Sequence, residues 1–117
     1  MSNKQKSILH LEDDPDIHPY VSTLLDTVAS VTSVQTAKEF RDLLAGSVFD
    51  MFMLDLVFKD GSGSGMAREL RQAYPETPII ILSAHDVTGA IEEADATFIK
   101  GRLKQKDFIR TIKKLLR

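Results

Sequence analysis

The order of apolar runs and helix-period segments predicts an α/β domain: an open, doubly wound, five-stranded parallel sheet in the order 2-1-3-4-5, flanked by five helices. Three observations carry this. Apolar runs of about four residues recur along the chain, too short for helices and of the length expected for strands covered on both faces. Segments with apolar residues every three or four positions separate them, as buried helix stripes do. The 117 residues suit one domain, 1–117, large enough to bury on the order of 65% of its unfolded surface.

Strand one covers residues 8–11 and runs directly into Glu12, Asp13 and Asp14. The first helix is expected to start with Asp14 as N-cap and Pro15 at the first helical position, burying Ile17, Val21, Leu24 and Leu25. Residues 31–34 form strand two, and Thr36 to Glu39 fits the capping box S/T-x-x-E, opening a helix that carries Phe40, Leu43 and Leu44 and ends at Gly46. The central strand, 51–54, ends in Asp55. A Gly/Ser-rich turn at 61–65 leads to a third helix with Met66, Leu70 and Ala73 on one face, stopping before Pro75. Residues 79–82 form strand four, ended by Ser83, and 85–94 read as a poor fourth helix interrupted by Gly89. Phe98 and Ile99 make the last strand, ended by Lys100, and Phe108, Ile109, Ile112, Leu115 and Leu116 give a 3.6-period stripe on the final helix.

Composition removes several function classes. There is no cysteine, so disulfides and thiol zinc sites are excluded. With 15 Lys+Arg against 17 Asp+Glu, the net charge of −2 offers no basic excess for direct contact with nucleic acid. The N-terminal MSNKQKS has no signal-peptide core, and no apolar stretch approaches a membrane span, so a soluble, cytoplasmic protein without a membrane partner is expected. The chain stops at Arg117 just after the last helix, as a stand-alone domain or one excised from a longer chain would.

In the predicted sheet order strand one lies beside strand three, and ligands bind beyond the carboxyl ends of the strands at that switch point. Asp13, Asp55, Ser83 and Lys100 all end strands at this edge, with Glu12 behind them. Neighbouring strands are about 4.8 Å apart, close enough for Asp13 and Asp55 to share one ligand. Three crowded carboxylates repel one another unless a cation neutralises them, and oxygen donors favour Mg²⁺. Lys100 and Ser83 supply a positive charge and a hydroxyl suited to a phosphoryl group, and a carboxylate can itself be the nucleophile, forming an aspartyl phosphate.

The segments ILHLEDDP, FMLDL, ILSA and FIK, in this order and spacing, resemble the response-regulator receiver domain of two-component signalling from end to end. The resemblance implies Asp55 as phosphoacceptor, Asp13 as a direct Mg²⁺ ligand, Glu12 as a ligand through water and the Val57 backbone carbonyl on the metal. It further implies Ser83 and Lys100 as phosphate-contacting groups, and a phosphohistidine donor on a sensor histidine kinase or phosphotransfer protein, with a downstream effector reading a surface made by helix four, strand five and helix five. Such a domain is not an enzyme beyond Mg²⁺-dependent self-phosphorylation from a donor and autodephosphorylation.

Three positions depart from the family pattern. Lys59 replaces a proline after the phosphoacceptor, which is expected to loosen that loop; Gly101 replaces the proline after the lysine, so Lys100 is expected to approach differently. Thr97 occupies the position of the aromatic switch residue, and Phe98, one place later, faces the opposite side of the sheet. The alternative reading is a degenerate receiver-fold interaction module not switched by phosphorylation. A haloacid-dehalogenase-like phosphatase would need a second Asp where Val57 stands. The glycines at 61, 63 and 65 fit neither a dinucleotide fingerprint nor a P-loop.

Overall fold

The computed structural model describes residues 5–84 and 91–117. In chain order these form β1 (Lys6–Leu11), α1 (Ile17–Leu24), β2 (Ala29–Val34), α2 (Ala37–Gly46), β3 (Met51–Asp55), β4 (Val57–Phe58), β5 (Gly61–Ser62), α3 (Gly63–Ala73), β6 (Ile79–Ser83), β7 (Ala96–Ile99), a 3-10 turn (Lys100–Arg102) and α4 (Gln105–Leu115). The main sheet has the order β2-β1-β3-β6-β7 with every pairing parallel. This is the expected 2-1-3-4-5 arrangement, with β6 and β7 as its fourth and fifth strands.

Period-two alternation sends the apolar runs to both faces. Leu9, Leu11, Phe52, Leu54, Ile79 and Ile81 pack with Phe40 of α2 and Met66, Ala67 and Leu70 of α3. Ile8, Met51, Met53, Ile80 and Leu82 pack on the other face with Val21 of α1 and Phe108 and Ile112 of α4. Each fully buried side chain of this size contributes roughly 1.5–3 kcal/mol, so the central strands are the most firmly held part of the fold. That rigidity fixes where their carboxyl ends stand.

Several local readings are corrected. The described residues carry four α-helices where five were expected: of the segment 85–94, residues 85–90 lie outside the described residues, and 91–94 form a turn in which the Ala94 amide donates to the Ile91 carbonyl (3.0 Å). Helix α1 starts at Ile17 rather than after Asp14, because the Asp14 carboxylate accepts the Asp16 amide (3.0 Å) and closes a turn of its own. On α3 the buried face is completed by Ala67, whereas Ala73 is exposed. The capping box of α2 forms, with Thr36 Oγ1 accepting the Glu39 amide (3.2 Å).

Instead of a loosened loop, the chain after Asp55 makes a small antiparallel hairpin of β4 and β5 about Lys59 and Asp60. Phe58 is buried in the core beneath Gly61, where a Cβ would stand 2.8 Å from its ring. The Asp60 carboxylate reaches across to the start of α2 and accepts the amides of Ala37 (2.9 Å) and Lys38 (3.3 Å). These bonds, the Ala37 one above all, hold the Asp60 carboxyl below its usual pKa range. Gly63 then packs so closely behind Asp55 that a Cβ would overlap the Asp55 carbonyl oxygen and lie 2.9 Å from Leu56 Cα. A glycine is therefore required where α3 leaves the hairpin.

Candidate functional site

Asp55 is the last residue of β3 and pairs with Leu82 of β6, so its side chain emerges at the carboxyl edge of the two central strands. It is 6% exposed. Glu12, one residue past β1, is 1% exposed, and Asp13 beside it is open to solvent. One oxygen from each of Glu12, Asp13 and Asp55 lies within 4.8 Å of the others. Such an all-oxygen donor set fits a hard divalent cation such as Mg²⁺ and gives no softer metal an advantage.

Lys100 closes the cluster from the end of β7. Its Nζ stands 2.5 Å from Glu12 Oε1 and 3.2 Å from Asp55 Oδ1. Burial pulls the Lys100 pKa down, but the contact with Glu12 and the charges of Glu12 and Asp55 outweigh it and raise the ammonium above its usual range. Gly101, in the 3-10 turn, has open space about its Cα, and Lys100 reaches both carboxylates from that turn. Ser83, 2% exposed, ends β6 and pairs in register with Ile99, the residue before Lys100. Val57 heads the hairpin, and with Asp13, Asp55, Ser83 and Lys100 it lines a cavity of about 530 Å³.

All the strand-ending residues singled out in the sequence therefore gather in one place. Thr97 does not: it pairs with Ile81 further back on β7 and is exposed. Phe98 turns to the other face and packs edge-on against Phe108, ring centroids 5.1 Å apart.

Two residues beneath the site were missed as parts of it. His18, in the first turn of α1, places Nε2 2.7 Å from the Glu12 carbonyl oxygen. His10, fully buried in β1, lies under the His18 ring at 5.8 Å and contacts Ser33 Oγ through Nδ1 (3.0 Å). Burial first, then the charges of His18 and Lys100, lower its pKa to about 3 and keep it neutral. Sequence spacing marks neither as a site residue, since their meeting depends on α1 folding back over the end of β1.

Residues 8–113 match the family described as the response regulator receiver domain. The chain is 32% identical over 84 residues to the response regulator protein PilR of Pseudomonas aeruginosa, covering 71% of this chain and 19% of that protein. It is 32% identical over 79 residues to the transcriptional regulatory protein CiaR of Streptococcus pneumoniae, covering 68% of this chain and 35% of that protein. The matches thus span well under half the length of these relatives. Among solved structures, the response regulator protein TrrA of Thermotoga maritima, in complex with Mg(2+)-BeF, superposes with a TM-score of 0.84 at 23% identity, over 95% of this chain and 99% of that one. A CheY-like receiver domain protein of Methanospirillum hungatei gives 0.84 at 21%, over 97% and 94%. At these identities the two structures speak for the fold.

Proposed function

The chain belongs to the response regulator receiver domain family, and from that premise we propose that it accepts a phosphoryl group on Asp55 from a phosphohistidine donor in a two-component phosphorelay. The observation that carries this reading is the convergence of Asp55, Lys100 and the Glu12–Asp13 pair at the carboxyl edge of the sheet. An Asp55 carboxylate oxygen attacks phosphorus, a P–O bond forms as the donor's P–N bond breaks, and the leaving imidazole takes up a proton. Lys100 offers its ammonium to the transferred oxygens, and the Ser83 hydroxyl lies on the same cavity wall to donate to one of them. Asp13, Asp55 and the Val57 backbone carbonyl would hold Mg²⁺, with Glu12 acting through water. Bound there, the ion neutralises charge that would otherwise repel the incoming phosphate.

On this reading the chain is not an enzyme acting on a separate substrate: it phosphorylates itself from a donor and loses the group by hydrolysis. Its partners are a sensor histidine kinase or phosphotransfer protein and a downstream effector. Its compartment is the cytoplasm; no helix among the described residues is long and apolar enough to cross a membrane. The exposed Thr97 and inward-facing Phe98 favour a second reading, a receiver-fold module that is weakly switched or not switched at all. Intact-mass spectrometry after incubation with a small acyl phosphate tests the first. A labile phosphoryl adduct that needs Mg²⁺ and disappears in Asp55→Asn is expected. An unlabelled protein, or labelling that survives Asp55→Asn, overturns it.

A further inference from the structure

The Glu12 peptide is held on both sides. Its amide donates to the Val34 carbonyl of β2 (2.9 Å), and its carbonyl lies 2.7 Å from His18 Nε2 on α1. The amide bond continues the ladder of the sheet, but the imidazole bond comes from a helix and has no counterpart in that ladder. Glu12 is also the residue whose carboxylate meets Lys100 and whose Oε2 accepts the Asp14 amide (3.2 Å). The orientation of this one peptide sets where the Glu12 and Asp13 side chains leave the strand.

The helix does not need His18 for its own start. Its first turn is closed by main-chain bonds from Ile17 to the Asp14 carbonyl (3.1 Å) and from His18 to the Pro15 carbonyl (3.3 Å). An apolar side chain at position 18 would cover the sheet as well. The His18 ring is in turn backed edge-on by the buried His10 ring, itself held to Ser33. This leaves the imidazole a narrow choice of orientation, with its Nε2 directed at the Glu12 carbonyl.

We propose that His18 is a positioning residue of the acidic site: as an Nε2–H donor to the Glu12 carbonyl, it fixes the exit of β1 so that Glu12 and Asp13 converge with Asp55 on one divalent cation. The proposal rests on the cation-binding reading given above and deepens it. Groups that orient a metal's ligands from behind typically matter by about 10–100-fold in affinity, so a measurable effect is expected even though His18 touches no ion.

Two measurements test it. Long-range ¹H–¹⁵N correlation on the imidazole at about pH 8, where a histidine of ordinary pKa is neutral, should show the Nε2–H tautomer for His18; the Nδ1–H tautomer overturns the proposal without any variant. Mg²⁺ titrations followed by amide shifts at residues 12–14 and 55–58 then compare the wild type with His18→Leu and His18→Gln. Roughly tenfold weaker binding is expected in His18→Leu, with recovery to within about threefold in His18→Gln, whose amide can donate to the same carbonyl. Equal affinity in wild type and His18→Leu sinks this proposal and leaves the phosphoacceptor reading standing, as does His18→Gln binding as weakly as His18→Leu. A wild type whose resonances ignore Mg²⁺ removes both. Should His18→Leu fail to fold, the tautomer and His18→Gln decide.

Discussion

Lys100 is closer to Glu12 than to Asp55, 2.5 Å against 3.2 Å, so its ammonium is shared between the acidic pair at the end of β1 and the carboxylate at the end of β3. The Glu12 side chain is nearly sealed from solvent, and its charge depends on this neighbour. One lysine thereby ties three strands of the sheet together at the edge where the chemistry is proposed.

Removing that charge should destabilise the fold. Lys100→Met leaves Glu12 and Asp55 facing each other uncompensated, and a loss of about 2 kcal/mol is expected, below the 3–5 kcal/mol of a fully enclosed pair because Lys100 keeps some exposure. Urea denaturation at neutral pH measures it, and added Mg²⁺ should recover part of the loss. Because the folded-state pKa of Lys100 is raised, its contribution is complete below the unfolded value near 10.5 and is lost as pH climbs through the folded one. Wild type and Lys100→Met should therefore converge in stability only at strongly alkaline pH.

His10 predicts the opposite limb of the pH profile. Its pKa is lowered from 6.5 to about 3, so the unfolded chain binds a proton over that interval and the folded one does not. Stability is complete above about pH 6.5 and falls on acidification by roughly 1.4 kcal/mol per unit until the folded pKa is reached. The groups facing it are His18 and Lys100, whose charges deepen the effect. His10→Leu should flatten this part of the acid unfolding curve. An unchanged slope would assign the acid sensitivity to other groups.

Asp60 links the hairpin after the phosphoacceptor to the N-terminus of α2. Asp60→Ala should speed hydrogen exchange at the Ala37 and Lys38 amides several-fold and lower the melting temperature. In the wild type these two amides should shift when Mg²⁺ is added, as the hairpin carrying Val57 adjusts. In Asp60→Ala that response should vanish while shifts at residues 12–14 persist, and its survival would mean that α2 is coupled by another route.

Thr97 sets the size of the output. A ligand moves a two-state equilibrium only as far as its differential contacts allow, and an exposed threonine on β7 offers little volume to exchange. Amide shifts induced by beryllofluoride should be concentrated near Ser83, with small changes on the exposed face of α4. Thr97→Tyr should enlarge the α4 response at least twofold. Equal α4 shifts in the two proteins would show that another side chain carries the signal across β7.

The sheet and its reactive edge were legible in the sequence because parallel strands covered on both faces must be apolar throughout, so the first polar residue after each run marks a strand end. Asp13, Asp55, Ser83 and Lys100 are such residues, and a parallel sheet delivers all strand ends to one side. The capping box at Thr36 was legible for a similar reason, since its bonds are made within four residues. The hairpin had a weaker trace, an apolar Val57–Phe58 pair followed by Asp60–Gly61, which the Gly/Ser-rich run after it obscured. What tertiary structure alone decided are contacts between elements distant along the chain. These are Lys100 leaning toward Glu12, the Asp60 carboxylate on the amides of α2, and the imidazole of His18 against the Glu12 carbonyl. Each depends on the angle at which a helix or hairpin settles on the sheet, which is set by the packing of Phe58, Met66, Val21 and Phe108 in the two core layers.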